Sequence, residues 1–102
     1  MFKTKKKKLQ EECWNIDYEL IKWVNQHYKK YLEDASETVD LTWKEFKYKR
    51  KMYTQEELIK KVITITDELL DYCEEGIYPQ KAVELKDEMY DIMKELHFAM
   101  WW

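Results

Sequence analysis

Residues 66–98 read TDELLDYCEEGIYPQKAVELKDEMYDIMKELHF, and this stretch decides the fold. Leu69 and Tyr72 continue an apolar stripe begun by Leu58, Val62 and Ile65. Leu85, Met89, Ile92, Leu96 and Ala99 form a second stripe with the same three- and four-residue steps. That period belongs to a helix with one buried face. Between the stripes stand Gly76, the only glycine, and Pro79, the only proline. A glycine just past one helix and a proline at the start of the next are stop and start signals. The stretch therefore predicts two helices, over 55–75 and 80–100, folded back on one another. Thr54 and Glu57 supply a T-x-x-E capping box at the entry to the first.

Toward the N-terminus, Leu9, Cys13, Ile16, Leu20, Val24, His27 and Tyr31 make one stripe. Trp14, Tyr18, Ile21, Tyr28 and Leu32 make a second beside it. Together they predict a helix over 9–32 whose apolar arc is wider than one neighbour covers, so it packs on two elements or lies in an interface. Asp17 falls between the stripes and is expected to pair with a lysine or a tyrosine hydroxyl; His27 is expected as a half-buried, hydrogen-bonded ring. Residues 33–40, EDASETVD, lack periodicity and read as a loop, with Asp40 or Thr42 capping the next element. Residues 43–52, WKEFKYKRKM, read as a short, strongly basic helix or turn anchored by Trp43, Phe46 and Tyr53. The expected fold is all-α, an antiparallel helical bundle of three long helices and one short helix. Residues 1–8 form a basic arm and residues 9–102 a single helical domain.

Composition agrees with that reading. A chain of 102 residues suits one domain. One glycine and one proline are too few for the tight turns of a β-rich fold. Hydrophobic residues at 45% beside charged residues at 38% place the chain among folded proteins, not disordered ones. Aromatics at 16% imply a core or an interface built from rings, and with the wide first helix they predict a dimer at least. No stretch is long and apolar enough to span a membrane, and no apolar segment follows MFKTKKKK, so a cytoplasmic protein is expected. Cations gather in 3–8 and 44–51, yet the net charge is −3 and no nucleic-acid-binding module is recognisable, which argues against nucleic acid as the partner. Cys13 and Cys73 lack metal-ligand spacing; both fall on apolar stripes and are expected as buried free thiols.

The acids carry the one pattern that points to chemistry. Glu84, Glu88, Asp91 and Glu95 line one ridge of the last helix, and Glu68, Asp71 and Glu75 line a ridge of the helix before it. Two such ridges facing each other would repel, and a hard divalent cation would relieve them. Acidic ridges are also ordinary on solvated helices, with Lys81, Lys86 and Lys94 at hand to neutralise them.

Asp67-Glu68-Leu69-Leu70-Asp71, then sixteen residues, then Glu88-Met89-Tyr90-Asp91 resembles the E-E-x-x-E … E-x-x-D signature of the MazG-like, all-α nucleoside triphosphate pyrophosphatase superfamily. VELKDEMYDIMKELHFAM is similar to that family's pattern around its second motif. The resemblance covers about the last sixty residues, with Asp for Glu at 67 and 71 and Tyr90 where a small residue is usual. It implies that Glu68, Asp71, Glu88 and Asp91 hold Mg²⁺ or Mn²⁺, that Asp67 orients water, and that a nucleoside triphosphate is cleaved between its α and β phosphates. Trp43 or Tyr48 would then stack on the base, and Lys47, Arg50 and Lys51 would contact phosphates. The competing reading is a non-enzymatic helical interaction protein acting through an aromatic-rich dimer or partner surface.

Overall fold

The computed structural model describes residues 5–101. The chain is mostly helical, with a small two-stranded sheet. Helix α1 spans Lys5–Glu12; a single 3-10 turn, Cys13–Asn15, joins it to α2, Ile16–Ala35. A hairpin of β1, Glu45–Tyr48, and β2, Lys51–Thr54, leads into α3, Gln55–Glu75, and the last helix is α4, Gln80–Leu96. Helix α3 is central and packs against both α2 and α4.

The helical hairpin matches its signals. The Thr54 hydroxyl accepts from Glu57 N (3.1 Å) while the Glu57 carboxylate accepts from Thr54 N (2.9 Å), completing the capping box. Gly76 closes α3 with φ 71°, a left-handed conformation that side chains disfavour, and its N–H donates to the Tyr72 and Cys73 carbonyls. Pro79 stands at the cap of α4, one place before its first helical residue. Leu58, Ile59, Val62, Ile65 and Leu69 of α3 meet Leu85, Met89, Ile92 and Leu96 of α4 in one buried core.

The first helix is not continuous. Asn15 leaves helical geometry, and its side-chain oxygen accepts from Tyr18 N (3.2 Å), so it caps a new helix. Helix α1 therefore runs over residues expected as an arm, and residues 1–4 of that arm lie outside the described residues. The buried face of α2 is Ile21, Val24, Asn25, Tyr28, Tyr31 and Ala35, which draws on both expected stripes. Leu9, Trp14, Ile16 and Leu20 stay exposed, and so does Cys13, contrary to the expected buried thiol. His27 is exposed, stacked on Trp23 with its Nδ1 2.8 Å from the Trp23 carbonyl.

The all-α expectation fails at residues 43–52. Phe46, Tyr48 and Tyr53 alternate with polar residues at period two, and aromatic and β-branched residues suit a pleated, half-buried surface. β1 and β2 pair antiparallel with Phe46 opposite Tyr53 and Tyr48 opposite Lys51. The two-residue turn between them puts Lys49 at φ 50° and Arg50 at φ 64°. Such turns favour Asn-Gly, because a larger side chain in this region costs about 1 kcal/mol or more.

Helix α4 ends at Leu96, short of the expected 100. His97 is extended and Phe98 is left-handed (φ 73°), which folds the tail back over the core. Gln55 Nε2 donates to the Ala99 carbonyl and the Tyr31 hydroxyl to the Trp101 carbonyl, both at 2.9 Å. Ala99 is thereby buried without being helical, while the Trp101 ring is exposed.

Candidate functional site

The acids named from the sequence do not converge. Asp67 leaves the core face of α3 toward α2, where Lys29 Nζ lies 2.9 Å from its carboxylate and Asn25 donates a second bond at 2.9 Å. Partial burial raises the Asp67 carboxyl, but these hydrogen bonds and the lysine charge outweigh it and hold the acid below the usual carboxylate range. Glu68 and Asp71 are exposed and form no ion pair among the described residues. Glu88 is half-buried and turns to the β-hairpin, 3.8 Å from Lys49 Nζ. Asp91 is exposed, 3.7 Å from Lys94 on its own helix.

Among the described residues no three His, Cys, Asp or Glu side chains are placed to share a metal ion. Mg²⁺ takes oxygen ligands, commonly one or two carboxylates together with waters and substrate phosphates. The α3 and α4 acids flank their core stripes, and burying those stripes turns Asp67 to α2 and Glu88 to the hairpin. The four acids are therefore not brought to one point.

The cations named from the sequence lie on one hairpin, Lys47 on its solvent face and Lys51 on the face of Phe46, Tyr48 and Tyr53. Lys47, Arg50 and Lys51 are exposed on the hairpin with no ion pair among the described residues, and Trp43, just ahead of β1 at the base of the hairpin, is 81% exposed. Tyr48, the other ring named for stacking, is 7% exposed and cannot take a base. Its hydroxyl is buried without a hydrogen-bond partner. Burial, with the Glu88 and Asp91 charges, pushes Tyr48 up to about 12.

A hollow of about 240 Å³ opens where the start of α2, the end of α3 and the start of α4 meet. Its walls include Leu20, Ile21, Leu69, Val83 and Met89, and Asp17, Tyr78 and Tyr90 stand among its lining. Burial pushes the Cys73 thiol up despite a hydrogen bond with Tyr78, so this cysteine in the lining is a poor nucleophile. Nothing in the sequence marks Tyr78 for this place, because it lies in the irregular link 77–79.

Asn25, Gln55 and Thr66 are the buried polar residues that sequence reasoning missed. Asn25 was detectable as the one polar residue on the buried arc of α2. Its amide donates to the Thr66 hydroxyl at 2.9 Å, and that hydroxyl donates to the Val62 carbonyl at 2.8 Å.

No family model, curated protein or solved structure matches this chain.

Proposed function

We propose that this is a non-enzymatic helical interaction protein that associates with a second copy of itself through its aromatic-rich face. The observation that carries this reading is the open apolar hollow together with an N-terminal helix that has no buried face. Helix α1 buries no residue, and Leu9, Trp14 (87% exposed) and Ile16 are exposed along and after it. The described residues of this helix bury nothing of their own. A docked position would cover its apolar side chains. The hollow offers apolar walls with Asp17 and Lys86 in its lining, and the exposed Glu84 and Glu95 stand on α4 to meet Lys5, Lys6 and Lys8. A cytoplasmic setting belongs to the same proposal, since both cysteines are free thiols.

Light scattering at tens of micromolar tests this. A dimer is expected for the natural chain, and Trp14→Glu or Tyr90→Glu should each give a monomer of unchanged helix content. A monomeric natural chain overturns the reading.

The pyrophosphatase reading retains one supporting observation: Glu88 and Asp91 lie near Tyr48 beneath the cationic hairpin, so two of its acids neighbour its phosphate contacts. On that reading millimolar Mg²⁺ or Mn²⁺ raises the melting temperature by binding the folded state. Glu88→Gln with Asp91→Asn would remove the response.

A further inference from the structure

The turn at Lys49–Arg50 is a backbone outlier with a chemical consequence. Both residues occupy the left-handed region, at φ 50° and φ 64°, where Asn and Gly are the easy occupants. A strained conformation held by the surrounding structure is a pointer to function. Here it places two long cations at the tip of a hairpin that also carries Lys44, Lys47 and Lys51. The sequence read as a helix scatters these charges around an axis; the hairpin carries them on one short ribbon, Lys47 on its solvent face and Lys51 at the edge of the face that holds Tyr48 and Tyr53. Among the described residues only Lys49 of this group is paired with an acid, Glu88, at 3.8 Å. The cationic surface continues onto α3, where Lys61 and Lys51 flank the Tyr53 ring at 5.0 and 5.4 Å.

The ribbon's solvent face holds Lys47 opposite Met52 and Glu45 opposite Thr54. With one apolar side chain it has little to insert into a lipid surface. Trp43, just ahead of β1 and followed by Lys44, is a large exposed ring at the base of the same hairpin. Cations that track a phosphate backbone, beside an aromatic ring on which bases stack, are how proteins hold single-stranded nucleic acid.

We propose that the hairpin, with Lys47, Lys49, Arg50 and Lys51 on phosphates and Trp43 on a base, binds single-stranded nucleic acid. The net charge of −3 does not oppose this, because the excess acid lies outside the hairpin, at the end of α3, on α4 and in residues 33–40. The proposal is independent of self-association.

The experiment is fluorescence anisotropy of a labelled single-stranded oligonucleotide at several salt concentrations, on the full chain. The natural protein should bind, more weakly as salt rises. Lys49→Asn with Arg50→Gly restores the easy turn, so this variant should melt higher while binding roughly tenfold more weakly, its log–log salt slope reduced by about 1.4 for two lost phosphate contacts. Trp43→Ala should weaken binding with the salt slope unchanged. The proposal is overturned if the natural protein ignores the oligonucleotide or if the turn variant binds as well as the natural chain. It is also overturned if a duplex, or vesicles of anionic lipid, are bound in preference.

Discussion

Asn25 on α2 donates a 2.9 Å hydrogen bond to the carboxylate of Asp67 on α3, across 42 positions of sequence. The acid that heads the acidic motif is thus tied to the neighbouring helix. Asn25 is 4% exposed and also serves Thr66, while Asp67 is exposed, so the pair is a polar clasp at the rim of an apolar interface.

Asn25→Ala should cost about 1–3 kcal/mol in urea denaturation, because it leaves the Thr66 and Asp67 oxygens without their buried donor. Asp67 gives the clasp a pH dependence. Its folded pKa is depressed, so its contribution is present above the usual carboxylate value and is lost as pH falls through the folded value. The natural chain should lose more stability than Asp67→Asn between about pH 5 and about pH 2. Parallel acid profiles would show that the Lys29–Asp67 pair is energetically silent, as many exposed pairs are.

Tyr48 should govern the alkaline limb. Its folded pKa, about 12, lies above its ordinary value of 10.0. The folded state therefore holds this proton more tightly than the unfolded chain does. The stability from Tyr48 is complete below about pH 10 and is lost as pH rises toward about 12. Burial shifts Tyr28 and Tyr31 in the same direction. Tyr48→Phe removes an unpartnered buried hydroxyl, so it should leave neutral stability unchanged or raise it by up to about 1 kcal/mol. The same variant should show a shallower alkaline loss in a pH-scanned melt. A clearly less stable Tyr48→Phe would mean that the hydroxyl has a partner.

Gly76 and Thr54 should each hold one end of α3. A Cβ at Gly76 meets no atom within 4 Å, so Gly76→Ala costs only the left-handed backbone, about 1–2 kcal/mol. Thr54→Ala should cost about 1 kcal/mol through the lost cap. The sites lie at opposite ends of a 21-residue helix, so the double variant should lose the sum in thermal melts. A double variant well short of the sum would show that the two caps are coupled through the helix.

Sequence alone determined α3 and α4 with their buried stripes, the capping box at Thr54 and Glu57, and the reversal at Gly76. Each is a local signal: a 3.6-residue period repeated over four turns, two reciprocal hydrogen bonds three residues apart, and the one residue type that accepts positive φ freely. Tertiary structure decided the rest. Residues 43–52 carry too few apolar positions to separate period two from 3.6, and they become a hairpin because Phe46, Tyr48 and Tyr53 can reach the bundle together. Which of two overlapping stripes α2 buries was open until α3 lay against it and took Val24, Asn25 and Tyr28 inward. The acid motif shows the same limit. Spacing puts Asp67, Glu68, Asp71, Glu88 and Asp91 on helical ridges, but the direction each ridge faces depends on how the helices roll against one another. The buried Leu69 and Met89 set that roll; Asp67 is left to Asn25 and Lys29, and Glu88 to Lys49.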